Sequence, residues 1–215
     1  EIAYLIAVVN RYFRPELRRE HVVDCFSGVR PLFDDGKGNP SAVTRDYIFD
    51  LDERDGVPLL NVFGGKITTF RKLAEHALDR LTHRFPKMGK GWTAAASLPG
   101  GDIRDADFAG FLAALRRDYP WLTPALAEHF ARLYGTRTKA LIGRATGLDG
   151  LGRRFGPLLT EAEAHYLLQE EWAETADDIL LRRTKHGLHM NETERREFAD
   201  WLKSPAGFAA RGLRS

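Results

Sequence analysis

Three cations set around a glycine turn are the residues of this chain best suited to chemistry. Lys66 directly follows Gly64-Gly65, Arg45 sits in Thr44-Arg45-Asp46-Tyr47, and Arg30 sits in Ser27-Gly28-Val29-Arg30-Pro31. Arginine presents a planar fork that grips phosphate or carboxylate with two hydrogen bonds, and lysine adds a compact charge. Glycine lets a ligand come close to the backbone. Thr68 and Thr69 fall where the first free N–H groups of a following helix would lie, and such a terminus carries partial positive charge. Together these features would welcome an anion or an electron-rich ring. The alternative is an ordinary strand-to-helix turn with solvated charges at strand ends.

The elements that must position this set run from Pro58 to Leu81. Leu59-Leu60-Asn61-Val62-Phe63 is a short apolar run that reads as a buried strand. After the turn, Phe70, Leu73, Ala74, Ala77, Leu78 and Leu81 recur at helical spacing. Two familiar phosphate motifs do not fit. A P-loop needs glycine four residues before the Gly-Lys pair and Ser or Thr after it, where this chain has Leu60 and Ile67. The nearest approach to G-x-G-x-x-G, Gly36 to Ser41, ends in serine within a polar turn.

Upstream, Ile2, Leu5, Ile6, Val9 and Tyr12 share one face of an opening helix. His21 to Leu32 is rich in β-branched and aromatic residues and reads as a strand stopped by Pro31. Thr44 to Leu51 alternates as a second strand, and Asp55-Gly56 turns the chain into the third. Strands leading into a helix predict an α/β (α+β) segment over residues 1–90.

From 91 to 215 the pattern becomes helical. Thr123-Pro124 places a cap before proline at the first helical position, and Gly135 closes that helix. Thr160 with Glu163 and Asn191 with Glu194 have capping-box spacing, Thr175 with Asp178 is a weaker variant, and Gly147 and Gly187 read as helix stops. An all-α bundle is expected here. Its basic stretch Arg182, Arg183, Lys185, His186 is best read as cations at a helix C-terminus, with membrane or partner docking as the sharper alternative. His186 and His189 lack a third ligand in the nearby sequence, so no metal site is expected.

Composition narrows the function classes. The 215 residues are 43% hydrophobic, enough for one large or two small cores. A net charge of +2, from 32 basic and 30 acidic residues, gives no field pointing to nucleic acid. The single cysteine, Cys25, excludes an internal disulfide and suggests a reducing, cytoplasmic setting. No apolar run is long enough to span a membrane.

Four stretches in register carry a resemblance: FSGVRPL at 26–32, TRDYIFD at 44–50, NVFGGKITTFRKLAE at 61–75 and LTEAEAHYLLQEEWAETADDILLRRTKHGL at 159–188. The chain resembles the C-terminal half of the FAD-dependent, quinone-linked glycerol-3-phosphate dehydrogenases, including their C-terminal helical domain. That resemblance implies oxidation of sn-glycerol 3-phosphate to dihydroxyacetone phosphate, with hydride passed to FAD and electrons to a membrane quinone. It assigns Arg30 and Arg45 to the substrate and its phosphate, and Lys66 with Arg30 to the chemistry. Gly64, Gly65, Lys66, Ile67 and Thr68 fall on the segment lying against the flavin. It also implies that this chain alone, without the dinucleotide motif, does not turn over, and that the protein is peripheral on the inner face of the cytoplasmic membrane. Strand edges left without neighbours would favour a homodimer. The competing expectation is a non-catalytic helical module that docks to a membrane or a partner.

Overall fold

The computed structural model describes residues 1–14, 16–29, 33 and 44–210, with backbone alone for 208–210. The chain divides into two compact units, Cys25–Ala96 and Glu1–Asp24 with Ser97–Ser215. Among the described residues it is mostly helical, with a small two-stranded sheet and a second, two-residue pairing.

Helix α1 covers Ile2–Tyr12 as the apolar periodicity predicts. The strand expected over His21–Leu32 is absent from its described residues. Arg19–His21 forms a 3₁₀ turn, and Val23, Phe26 and Val29 are almost fully exposed. Residues suited to a strand stay irregular when no ladder partner takes up their backbone groups.

Strand β1 spans Tyr47–Arg54 and β2 spans Val57–Gly64, paired antiparallel from Tyr47 opposite Gly64 to Arg54 opposite Val57. Asp55 and Gly56 both have positive φ, 53° and 78°, as a tight two-residue hairpin requires. β1 starts three residues later than expected because side chains claim the preceding amides. Thr44 Oγ1 accepts from Asp46 N, and Asp46 Oδ1 accepts from Tyr47 N. Beyond β2, Ile67–Thr69 makes a 3₁₀ turn that runs into α2, Phe70–Leu81. Arg84 fastens the far end of this unit, donating to Glu53 at 2.7 Å and to the carbonyl of Gly56 at 3.2 Å. None of the described residues of Cys25–Ala96 is buried.

Among the described residues, all of the buried core lies in the helical unit, between Leu115 and Leu202. Its helices are α3 (Phe108–Asp118), α4 (Pro124–Tyr134) and α5 (Thr138–Ile142), then α6 (Glu161–Glu170), α7 (Glu192–Lys203) and α8 (Pro205–Ala210). The pairing of β3 (Arg154–Phe155) with β4 (Leu159–Thr160) precedes α6. Caps sit where the sequence places them. Thr123 Oγ1 accepts from Leu126 N, and Asn191 and Glu194 form a reciprocal box. Phe130, Leu159, Ile179 and Phe198 have no exposed surface, and the rings of Phe155, Phe198 and Trp201 pack with centroids 5.0–5.7 Å apart, Phe198 stacked on Trp201 and Phe155 edge-on to Phe198.

Two helix ends fall elsewhere than the glycine pattern suggests. Helix α5 stops at Gly143, with φ 59°, so Gly147 instead precedes the 3₁₀ turn Leu148–Leu151. Asp178–Arg183 is a π-helix, and Lys185, at φ 67°, breaks the chain before Gly187 is reached. Gly187 lies inside the next 3₁₀ turn, His186–His189, where a Cβ would lie 2.9 Å from Leu181 Cδ2 and that side chain would have to shift.

Candidate functional site

The hairpin and α2 bring most of the predicted site residues to one end of their unit. Tyr47 opposite Gly64 is the last rung of the ladder, and Arg45 and Lys66 each lie two residues past it, at the same hairpin end. Both are exposed, and neither has an ion-pair partner among the described residues. Arg30 lies outside the described residues.

Gly64 and Gly65 turn the chain with φ of 72° and 97°, a region that side chains rarely adopt. Gly65 is also hemmed in: a Cβ there would lie 3.3 Å from Leu73 Cδ1 and 3.5 Å from Tyr47 Cβ. Beneath the turn, Tyr47 packs on Phe49 and its hydroxyl is 2.5 Å from His76 Nδ1 on α2, so strand and helix are tied directly under the glycines. Lys66 is extended, with φ −122° and ψ 144°, and its carbonyl accepts from both Thr69 N and Thr69 Oγ1. The first amides of the turn that opens at Ile67 have no acceptor within the helix. Ile67 is 90% exposed and Thr68 is exposed beside it. This end therefore offers two cations without an ion-pair partner among the described residues, the first amides of a helical turn and an uncovered apolar side chain, which together suit an anionic group next to a flat, partly apolar one.

A second polar cluster lies in the helical unit and was not legible as one in the sequence. Glu163, in the first turn of α6, is completely buried. Its Oε1 accepts from the Tyr134 hydroxyl at 2.6 Å and lies 2.7 Å from His129 Nε2, and its Oε2 lies 3.4 Å from His186 Nε2. Burial would raise the carboxyl's pKa, but the hydrogen bonds and charge of His129 and His186 outweigh it and hold it at about 2. Burial, then the Glu163 charge, pushes the Tyr134 hydroxyl far above its ordinary value.

Thr160 does cap Glu163 N, at 3.2 Å, but the Glu163 side chain does not return to the cap. The available signal was its neighbour Ala164 and the buried Leu167 and Leu168: the glutamate lies on the inward stripe of α6. His186, paired in the sequence with His189, instead faces Glu163, while His189 is exposed. The basic stretch behaves as a helix end. Arg182 pairs with Asp178, Arg183 donates to the Glu171 carbonyl, and Lys185 caps the Leu181 carbonyl.

The family model described as the C-terminal domain of alpha-glycerophosphate oxidase matches residues 92–200, and the chain belongs to that family. Among individual relatives, it is 62% identical over 202 residues to D-erythritol 1-phosphate dehydrogenase of Brucella abortus, covering 94% of this chain and 40% of that protein. It is 47% identical over 203 residues to aerobic glycerol-3-phosphate dehydrogenase of Escherichia coli, again covering 94% and 40%. Identity to alpha-glycerophosphate oxidase of Enterococcus casseliflavus is 29% over 195 residues, covering 88% and 31%. The chain thus spans about two fifths of the length of the first two relatives. Membership in this family does not favour a purely non-catalytic docking module.

Proposed function

We propose that this chain supplies one wall of the active site of a flavin-dependent polyol-phosphate dehydrogenase. The observation that carries the reading is the hairpin end, where Arg45 and Lys66, exposed and without an ion-pair partner among the described residues, flank a glycine turn that leads into the exposed Ile67 and Thr68. The donor set fits FAD beside a phosphorylated substrate. Gly64, Gly65, Lys66, Ile67 and Thr68 would hold the flavin, which when bound supplies the hydride acceptor. Lys66 and the amides beyond it favour negative charge arriving next to them. Arg45, with Arg30, binds the substrate phosphate and fixes its orientation, so that the hydroxyl to be oxidised is held in place. The chain alone, without a dinucleotide motif, is inactive.

Two substrates are in contention, and both carry a phosphate monoester beside a chain of hydroxyls. The sequence motifs point to glycerol 3-phosphate, whereas the higher identity to the relative named for D-erythritol 1-phosphate, 62% against 47%, favours the four-carbon compound. Higher identity to proteins named dehydrogenases than to one named an oxidase supports an electron acceptor other than dioxygen, and a quinone at the inner face of the cytoplasmic membrane is the acceptor proposed. No helix among the described residues is long and apolar enough to cross a membrane, so such an association would be peripheral.

The test compares the full-length wild type with Lys66→Met and Arg45→Ala, by flavin absorbance and by dye-linked oxidation of both polyol phosphates. Retained flavin with kcat down by about 10²-fold in Lys66→Met, and a raised KM in Arg45→Ala, is the expected result. Wild-type rates in both variants would overturn the reading. The ratio of kcat/KM for the two substrates decides between them.

A further inference from the structure

The Glu163 cluster draws on three separate stretches of chain. Helix α4 contributes His129 and Tyr134, the first turn of α6 contributes Glu163, and the 3₁₀ turn at His186–His189 contributes His186. The backbone adopts uncommon conformations to deliver that last residue. It passes through the π-helix Asp178–Arg183 and then through Lys185 at φ 67°, and His186 enters the interior with only 4% of its surface exposed. Such conformations mark places where something beyond packing is held.

One nitrogen from each imidazole and one carboxylate oxygen lie within 4.8 Å of one another. A tetrahedral ion with bonds of about 2.0–2.2 Å needs its ligand atoms about 3.3–3.5 Å apart, so small side-chain adjustments bring these three around a common centre. In the present arrangement the imidazoles face the carboxylate at hydrogen-bonding distances, 2.7 and 3.4 Å. A divalent ion would take the place of the shared protons, with both histidines bound as neutral imidazole. The hydroxyl of Tyr134 already holds Glu163 Oε1, the kind of outer contact that orients a ligating carboxylate.

We propose that His129, Glu163 and His186 supply three of the four ligands of a structural site for a divalent transition-metal ion of the Zn²⁺ type, with a water on the side of the partly exposed His129 as the fourth. Two imidazoles with one carboxylate suit Zn²⁺ and its neighbours, whereas Mg²⁺ and Ca²⁺ favour all-oxygen sites. Glu163 is wholly inaccessible and the His129 side chain is 12% exposed, so the site is closed to substrate and its role is to clamp α4, α6 and the segment after the π-helix. This inference is independent of the substrate and cofactor assigned to the hairpin end.

The test uses untagged full-length protein, with elemental analysis as isolated, then titration of chelator-treated protein with Zn²⁺, and with Mg²⁺ as the control. His129→Gln and His186→Gln serve as variants because the glutamine amide can still donate to Glu163 while ligating metal poorly. About one equivalent of Zn²⁺ in the wild type, a rise in Tm with Zn²⁺ and not Mg²⁺, and binding weakened at least about tenfold in each variant is the expected result. The proposal is overturned if the wild type takes up no stoichiometric Zn²⁺ in either experiment, or if folded variants bind as tightly as the wild type. Should a variant fail to fold, the wild-type stoichiometry and the Mg²⁺ control decide alone.

Discussion

The unit Cys25–Ala96 and the helical unit solve opposite problems with similar ingredients. The first has tight turns, a fully registered hairpin and an amphipathic helix, yet none of its described residues is buried, and Val57, Leu59, Ile67 and Phe70 are all more than half exposed. The second closes a core in which even a carboxylate and an imidazole are buried. Arg45 and Lys66, without an ion-pair partner among the described residues, belong to the open unit, and the buried Glu163, bonded by Tyr134, His129 and His186, to the closed one. The difference teaches that local geometry alone can build a ligand-ready hairpin end, whereas burying charge takes several elements that shut out water together.

The contrast breaks most visibly through the core. Phe130→Ala should cost about 3–5 kcal/mol in denaturant unfolding of the helical unit, because the site is fully buried and cannot collapse. Hydrogen exchange at Tyr47–Gly64 should be unchanged, and faster exchange there would show that the two units are energetically joined.

Next in size, Gly65→Ala should cost about 1–3 kcal/mol, since it places a side chain at φ 97° against Leu73 and Tyr47. Its signature is local: faster exchange along α2, unchanged exchange along α6, and lower dehydrogenase activity in the full-length protein as Lys66 is displaced. Wild-type activity would separate the glycine turn from the chemistry.

The smallest effect concerns a capping carboxylate. Asp178 accepts from Thr175 N, Thr175 Oγ1 and Glu174 N and pairs with Arg182, which holds its pKa at about 2. Asp178→Ala should cost about 1 kcal/mol at neutral pH. Because the folded-state pKa lies below the ordinary 3.8, this contribution is complete above that value and is lost as pH falls through about 2. The gap between wild type and variant should therefore narrow as pH falls from about 4 towards 2 and close below it, and a gap that does not narrow over that range would mean that the charge of Asp178 is not what matters.

What the sequence determined by itself was whatever depends on a few adjacent residues. Helices α1 and α2 follow from their apolar spacing, α4 from Thr123-Pro124 at one end and Gly135 at the other, the hairpin from Asp55-Gly56, and the caps from Thr123, Thr160 and Asn191. The gathering of Arg45, Gly64, Gly65, Lys66, Ile67 and Thr68 at one hairpin end was legible for the same reason, because the register of a two-residue hairpin is set by its turn. The tertiary structure alone decided the rest. His21–Val29 was not a strand, since β-branched residues need a partner that no local pattern supplies. Glu163 was not half of a capping box, since its choice between its own helix end and the imidazoles of His129 and His186, 34 and 23 residues away, is made only when α4, α6 and the segment around His186 close over it. Once water is excluded, a carboxylate must take every donor within reach, and those donors are brought there by packing rather than by sequence distance.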